Sequence, residues 1–431
     1  MFDLSMTEAI FGGLVLCLLL GIPIGFSLGI ATLLGLLLTP IPLIYLAETF
    51  YSGADIFPLL AIPGFILAGT LMQKSGITDM IIDVVYELVG NVPGGLAVVT
   101  MVSCMFFASL SGSGPATTAA IGSIMIPAMT NAGYPKRFGA SVSSTGGTIG
   151  ILIPPSNPMI MYGVVANLSV AGLFMAGVLP GIILGASLSL YCLIVGKVKG
   201  YHATGKNFSI KRCVKSIWAG KVALFMPVIV LGSIYGGIAT PTEASMLAVV
   251  YSFIVGFVVY RKLSISEACD SMISAGMMTG AVLIIMGPAM AFGKILTMYE
   301  IPAQIAQHIL SFSSDKYVIL ICIALFLIVV ETFMETLSAI VLLTPILLPI
   351  VIRIGIDPVH FGILFVIISE VGFLTPPLGV NLYVASAISK LSLEEISRGV
   401  LPFIIVMLMV IGLLIFVPEI STWGYYLVTK R

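Results

Sequence analysis

Apolar runs of about 20 residues follow one another along almost the whole chain, and each is long enough to cross a bilayer. Examples are residues 9–38, 170–195, 243–260 and 400–417. Only 9% of the 431 residues are charged and 59% are hydrophobic, whereas about a quarter of a soluble domain is charged. The sequence therefore predicts one polytopic, all-α membrane unit with about ten to twelve crossings.

The distribution of charge predicts the orientation in the membrane. Residues 197–221 contain seven Lys or Arg, including Lys206, and no acid. Cytoplasmic loops carry such an excess, so we expect this loop in the cytoplasm and no nucleic-acid partner. The start of the chain carries Asp3 and Glu8 without a basic residue. This start is unlike a cleavable signal peptide and predicts a periplasmic N-terminus.

The second half of the chain repeats landmarks of the first half at an offset of 222 positions. The matched pairs are Pro127 with Pro349, Gly133 with Gly355, Gly150 with Gly372, Pro154-Pro155 with Pro376-Pro377, and Leu179-Pro180 with Leu401-Pro402. We therefore interpret residues 1–196 and 222–431 as two repeats joined by the basic loop 197–221. Internal repeats of this size, often inverted, are typical of secondary transporters.

Each repeat contains a predicted re-entrant hairpin and a predicted broken helix. In the first repeat the hairpin lies at about 103–130 and the broken helix at about 138–165; in the second they lie at about 326–350 and 360–388. Prolines break helices, and broken backbone inside a membrane is tolerated where it is buried or lines a cavity. The breaks therefore predict one site built from both repeats. Close helix packing through small residues is the alternative.

Three carboxyls lie in or beside these segments of the second repeat. Buried carboxyls in a membrane are costly and commonly functional. Glu335 is nearest the predicted hairpin tip and ranks first, whereas an interface position remains an alternative for Glu331 and Glu370. Three widely spaced histidines and six scattered cysteines, without a C-x-x-C pair, predict neither a transition-metal site nor disulfides.

Three stretches resemble the large membrane subunit of tripartite ATP-independent periplasmic (TRAP) transporters. They are "SGSGPATTAAIGSIMIPAM", "GTIGILIPPSNPMIMYG" and "GIDPVHFGILFVIISEVGFLTPPLGVNLYVAS", and the resemblance covers essentially the whole chain. It implies an ion-transporter-type fold with a scaffold domain and a mobile, elevator-like transport domain. One departure is Glu335, where the family more often has Asp.

The resemblance also implies a function and partners. The expected function is sodium-driven uptake of an organic acid, such as a C4-dicarboxylate or a sialic acid, across the bacterial inner membrane. The expected partners are a small four-helix membrane subunit, a periplasmic substrate-binding protein and membrane lipid. We expect no enzymatic activity, and no cofactor besides the coupling Na⁺.

Carried onto this sequence, the resemblance implies two sodium sites, each between a hairpin tip and a broken helix. The residues expected at the first site are Ser109, Ser111, Ser113, Gly146, Gly147, Gly150 and Pro154; those at the second are Glu335, Thr336, Ser338, Gly372, Thr375 and Pro376. Asn157 and Asn381 lie just past the breaks, where helix N-termini could meet a substrate carboxylate. With Thr117 they form the expected substrate set.

Other functions are less consistent with the sequence. A channel would need a ring of pore charges or a carbonyl filter motif, and neither is recognisable. No G-x-x-x-x-G-K-[ST] loop or metalloprotease motif is present, which argues against direct ATP use and against an intramembrane enzyme. A single-component sodium/dicarboxylate symporter of the same fold group remains the main alternative.

Overall fold

Every regular element in the described part of the chain is a helix. The computed structural model describes residues 4–201, 209–312 and 315–429, without the side chains of residues 4–6 and 309–312. Asp3 and Lys206, on which the orientation was predicted, lie outside these ranges. The α-helices are α1 Leu4–Leu19, α2 Ile24–Leu37, α3 Ile44–Ala54, α4 Ala61–Lys74, α5 Ile77–Val89, α6 Gly95–Ser111, α7 Gly114–Asn131, α8 Lys136–Thr148, α9 Asn157–Val165, α10 Val170–Lys199, α11 Ile210–Ala219, α12 Lys221–Tyr235, α13 Pro241–Phe253, α14 Ile265–Met298, α15 Ile301–Phe312, α16 Lys316–Glu331, α17 Thr336–Arg353, α18 Pro358–Gly372, α19 Val380–Ser389, α20 Leu393–Phe416 and α21 Glu419–Thr429.

Short non-α turns extend three of these helices. A 3-10 turn, Phe57–Leu60, precedes α4; another, Ile149–Ile151, follows α8; and a π-helical segment, Ile254–Val259, continues α13. Serine or threonine caps with a glutamate three residues on start three long helices, at Thr240, Ser264 and Ser392. Such capping boxes satisfy backbone N–H groups that have no partner within the helix.

Six helical segments in the described residues are long and apolar enough to cross a bilayer, or seven if the bent pair α11 and α12 counts as one span. Five shorter apolar helices accompany them. This differs from the ten to twelve crossings expected from apolar runs, because several of those runs are divided into shorter helices, such as α18 and α19. Large apolar side chains such as Leu19 (81%) and Ile238 (82%) are exposed, as a lipid-facing surface requires.

Helix starts in the second half follow those in the first half by 222 or 223 positions. α7 begins at Gly114 and α17 at Thr336, and α8 begins at Lys136 and α18 at Pro358. The Pro154-Pro155 pair lies between α8 and α9, and the Pro376-Pro377 pair lies between α18 and α19. Both pairs are joined by cis peptide bonds. One difference is α14, a continuous helix where the first half has α3, a 3-10 turn and α4.

The basic segment 197–221 is only partly a loop. α10 continues to Lys199, and α11 is a short helix whose Arg212 lies 3.2 Å from Glu87 of α5. Ile210, Val214 and Trp218 form an exposed apolar stripe along α11. A basic helix with one exposed apolar face is typical of a segment lying at the membrane surface. The apolar residues recur with the 3.6-residue period of an α-helix, which explains why this part of the loop is helical.

Candidate functional site

Each hairpin tip packs against the helix break that follows it. The first tip turns at Gly112, which has a φ of 57°, and a Cβ at that position would lie 2.8 Å from the Pro155 carbonyl oxygen. At the second tip the Leu378 N–H donates to the Thr332 carbonyl at 3.0 Å. A Cβ on Gly372 would lie 2.6 Å from the Glu331 carbonyl oxygen. Gly112 and Gly372 therefore permit close approaches that larger residues would block.

The two repeats also contact each other at this level. The Asn381 side-chain amide, in α19, donates to the Ser144 carbonyl in α8 at 3.1 Å. A Cβ on Gly114 would lie 3.3 Å from the Phe373 ring. Both hairpin tips and both breaks thus meet in one region.

A cavity of about 470 Å³ lies between the two tips, the breaks and α14. Four helices begin at this cavity, namely α7, α9, α17 and α19, and helix N-termini carry partial positive charge. Lys, Arg and His are absent from its described lining. The lining residues are Ile66, Gly112, Ser113, Gly114, Pro115, Ile151, Asn157, Pro158, Met278, Ala281, Val282, Ile285, Glu335, Leu337, Ser338, Phe373 and Val380. An anion here would be stabilised by the N-termini of α7, α9 and α19 and not by basic side chains, because the Glu335 carboxylate occupies the N-terminus of α17.

Hydroxyl groups cluster at the first tip. The Ser111 and Thr117 hydroxyl oxygens are 2.9 Å apart, and the Thr117 hydroxyl donates to the Ser113 carbonyl at 2.8 Å. A Cβ on Gly150 would lie 2.9 Å from the Thr117 hydroxyl oxygen. The structure therefore brings together Ser111, Ser113, Thr117 and Gly150. Thr117, expected to face substrate, is fully buried inside this cluster and does not line the cavity.

The remaining residues expected at the first site have mixed surroundings. Gly147 packs on Thr118, whose hydroxyl would lie 1.9 Å from an added Cβ. Gly146 instead faces the Cys104 sulfur, a packing contact. The Ser109 hydroxyl donates to the Phe106 carbonyl of its own helix at 2.6 Å. No described polar contact places Pro154 in the hydroxyl cluster.

At the second tip, Glu335 and Glu331 have different surroundings. The Glu335 carboxylate accepts hydrogen bonds from the Leu337 and Ser338 N–H groups at 2.9 and 3.2 Å, so it caps α17 and faces the cavity. Glu331 is buried against Gly372. The Thr336 hydroxyl, 3.4 Å from a Glu331 carboxylate oxygen, also lies on this side.

The second break has its own polar contacts. The Thr375 hydroxyl donates to the Val371 carbonyl at 2.8 Å, and no described polar contact involves Pro376. Ser369, whose hydroxyl is 2.5 Å from Glu331, was not selected from the sequence. The only feature of the sequence that could have identified Ser369 as a site residue is its position, directly before Glu370 and three residues before the break.

The two asparagines expected to meet substrate are placed differently. Asn157 lines the cavity at the start of α9, and its Oδ1 has no described hydrogen-bond partner. Asn381 is fully buried, and its amide joins the repeats through Ser144. The Oδ1 of Asn381 also lacks a described partner, but only Asn157 lines the cavity, so Asn157 is the better candidate for direct contact with a ligand.

Interrupted helices and matched hairpins around a membrane-embedded cavity define a polytopic transporter class. The chain belongs to the family described as "Tripartite ATP-independent periplasmic transporter, DctM component", which matches residues 11–420. The family resemblance and the all-α membrane fold expected from the sequence are therefore confirmed.

The chain is similar in sequence to several proteins that are named as transporter permeases. The chain is 45% identical to the isethionate TRAP transporter permease protein DctMQ of Oleidesulfovibrio alaskensis. The match covers 95% of the present chain but only 65% of the length of that relative. It is 39% identical to the C4-dicarboxylate large permease DctM of Pseudomonas aeruginosa, covering 92% of each chain. It is 35% identical to the sialic acid large permease SiaM of Vibrio cholerae, covering 96% of this chain and 97% of the relative.

The fold is also similar to a solved structure. The crystal structure of the Alcanivorax borkumensis YdaH transporter superposes with a TM-score of 0.66 and covers 88% of each chain. The sequences are 14% identical, so this likeness concerns the fold alone.

Proposed function

We propose that this chain is the large permease of a sodium-coupled system that takes up a small organic acid delivered by a periplasmic binding protein. The observation that carries the proposal is the convergence of two hairpin tips and two helix breaks, matched between repeats, on one membrane-embedded cavity. Half-helix N-termini and unwound backbone at such breaks are the usual means of holding anions and small cations in transporters.

The oxygen groups around the breaks support sodium as the coupling ion. Hydroxyl and carbonyl oxygens are hard ligands that suit small hard cations. At the first site, such groups come from Ser111, Ser113 and Gly150. We also assign Thr117, which the sequence placed with the substrate residues, to this site. At the second site we propose Thr336, Ser338, Gly372 and Thr375, with Glu335 facing the same region. We propose no side-chain ligand role for the remaining expected residues. They contribute backbone to the two sites or pack around the ligands: Ser109, Gly146, Gly147, Pro154 and Pro376.

The cavity supports an acidic substrate. The N-termini of α7, α9 and α19 provide positive potential without a lysine or arginine in the described lining, whereas Glu335 caps α17. The side-chain amide of Asn157, which also lines the cavity, includes an NH₂ donor. The printed names of the relatives specify isethionate, C4-dicarboxylate and sialic acid, each an organic acid. A substrate of this class is therefore proposed for this chain as well.

The walls of the cavity support an elevator movement. One wall is α14, which presents Met278, Ala281, Val282 and Ile285, and the opposite walls are the tips and breaks. Because these α14 side chains are small or flexible and apolar, hairpins and broken helices could slide along them as one body. We propose that this movement carries the substrate across the membrane.

The test is reconstitution in proteoliposomes with a small four-helix subunit and candidate binding proteins, using labelled organic acids. The proposal predicts saturable uptake that requires an inward sodium gradient and a loaded binding protein. Equal uptake under a proton gradient in sodium-free buffer would contradict sodium coupling. Uptake by the chain alone, without partners, would instead support a single-component symporter.

A further inference from the structure

Two buried carboxyls lie behind the second break, deeper than the cavity. Glu331 is the last residue of α16 and is 1% exposed, and Glu370, near the end of α18, is fully buried. Neither side chain lines the cavity. Glu331 contacts Ser369 and Gly372, which lie one residue before and two residues after Glu370. A charge in such a place is costly unless it is paired.

Hydroxyl groups surround Glu331 in a way that suits its ionised form. The Ser369 hydroxyl lies 2.5 Å from one carboxylate oxygen, and the Thr336 hydroxyl lies 3.4 Å from the other. Separations of about 2.5–2.7 Å are usual when a hydroxyl donates to an ionised carboxylate. The Ser369 oxygen is also 3.0 Å from the Phe365 carbonyl oxygen, so its one proton is shared between two acceptors, and further lone pairs of the Glu331 carboxylate stay available.

Glu370 has no comparable partners. Neither of its carboxyl oxygens makes a hydrogen bond with the described residues. Its polar neighbours are the Thr148 hydroxyl and the Ile151 N–H, both from the broken helix of the first repeat. Residue 370 is also the counterpart of residue 148 at the 222 offset, so this carboxyl lies where the two broken helices meet. A fully buried, unpartnered carboxyl calls for an ion or proton.

No basic side chain compensates these two acids. The three salt bridges among the described residues involve Glu87, Asp79 and Glu394, all elsewhere. The basic residues of the adjoining helices are at their far ends. Lys316 is fifteen residues from Glu331 along α16, about 22 Å at the helical rise.

We propose that Glu331 and Glu370, with the hydroxyls of Ser369 and Thr148, bind a sodium ion at a third site between the two broken helices. The all-oxygen ligand set suits a small hard cation, and the positive charge of the ion offsets the buried negative charge of Glu370, whose carboxyl oxygens have no described hydrogen-bond partner. The proposal rests on the sodium coupling proposed above and adds an ion that contacts both repeats at once.

Binding of ²²Na⁺ to the purified protein, measured by equilibrium dialysis, tests the site without a transport assay. Glu370→Gln keeps the shape of the side chain and removes its charge. We expect this variant to bind one sodium fewer per chain than the wild type at saturation, and Glu331→Gln to do the same. Glu48→Gln, an identical exchange at an exposed position of α3, should bind the full number.

A full sodium count in Glu370→Gln would overturn the third site, because it would mean that the carboxyl carries a proton. If the glutamine variants do not fold, Ser369→Ala keeps both carboxyls and should weaken sodium affinity at one site about fivefold, the effect of one lost hydrogen bond. Unchanged affinity in Ser369→Ala would likewise overturn it. A wild-type protein that binds no sodium would contradict the proposed coupling itself, which separates the two failures.

Discussion

Single hydroxyl groups at the first tip and at the second break test the ion sites most directly. Ser113→Ala and Thr375→Val each remove one oxygen, and we expect each to raise the sodium concentration for half-maximal uptake about fivefold, equivalent to about 1 kcal/mol. Thr32→Val is a matched control, because the Thr32 hydroxyl also donates to a carbonyl four residues earlier, at 2.7 Å, but in α2. Sodium titration of uptake is the measurement, and equal shifts in all three variants would contradict the assignment.

The two asparagines should have separable effects although both lie just past a break. Asn157 lines the cavity, so Asn157→Leu should raise the KM for substrate with little change in thermal stability. Asn381 is buried and bonds to the Ser144 carbonyl, so Asn381→Leu should lower the free energy of unfolding by about 1–3 kcal/mol. Uptake kinetics and thermal unfolding of both variants measure this. The reverse pattern would exchange the two roles.

At the scale of the element, the paired prolines provide a test of why the helices are broken. Replacing Pro154-Pro155 or Pro376-Pro377 by Ala-Ala should let the helix continue, so that carbonyls proposed for ions are taken up by intrahelical bonds. Proline in a helix interior costs about 3 kcal/mol, so stability need not fall. We expect folded protein with weaker apparent sodium affinity and slow uptake in both variants.

Prolines in uninterrupted helices supply the control for this experiment. Pro180 and Pro402 are also matched at the 222 offset, but they lie inside α10 and α20. Pro180→Ala and Pro402→Ala should leave the sodium dependence unchanged. If both double variants at the breaks also keep the wild-type sodium dependence, the breaks serve packing and the ion sites are wrong.

The acidic face of α5 gives a prediction about stability outside the membrane spans. Partial burial, with Asp79 and Glu87 one turn away on either side, raises the pKa of Asp83. The folded chain therefore binds this proton more tightly than the unfolded chain, and stability falls as pH rises through this carboxyl's range. Asp83→Asn should raise the free energy of unfolding by a few tenths of a kcal/mol at pH 7.

The gain in Asp83→Asn should disappear below about pH 4, where the carboxyl is protonated anyway. Glu87→Gln is the matched control on the same helix, because it removes the partner of Arg212 and should not stabilise. Thermal unfolding of both variants at the two pH values is the measurement. A gain that persists in acid would exclude the charge explanation.

Proline and glycine spacing predicts the two helix breaks and the turn at Gly112, because these residues act through local backbone geometry. The second tip, between α16 and α17, contains neither residue and follows only from the 222 offset. The sequence ranks Glu335 above Glu331 by its distance from the predicted tip, but it could not show that Glu335 faces the cavity and that Glu331 is buried against Gly372. It also placed Thr117 with the substrate, although the Ser111 hydroxyl and the Ser113 carbonyl enclose it. The approach of Gly150 to Thr117 and of Gly372 to Glu331 joins segments distant along the chain, and such contacts follow from tertiary packing, which a local pattern does not encode.

For the whole molecule, the elevator proposal requires α14 to separate from the second hairpin during each cycle. A Cβ on Gly293 of α14 would lie 3.2 Å from the Pro345 Cβ of α17, close to the separation found in disulfides. The double variant Gly293→Cys with Pro345→Cys, made without the exposed Cys269 and Cys322, should therefore lose uptake on oxidation. Reductant should restore it.

A second cross-link, one turn away on α14, is the control. It tests whether a loss of uptake comes from blocked movement. A Cβ on Gly53 of α3 would lie 2.8 Å from the Met290 Cβ, and α3, like α14, lies outside the hairpins and broken helices that are proposed to move. Oxidised Gly53→Cys with Met290→Cys should keep its uptake, because that contact is not broken in the cycle. Full uptake in a completely cross-linked Gly293–Pro345 variant would contradict a sliding hairpin. Loss in both pairs would show that the cross-links act through general distortion of α14, and that α14 and α17 need not separate.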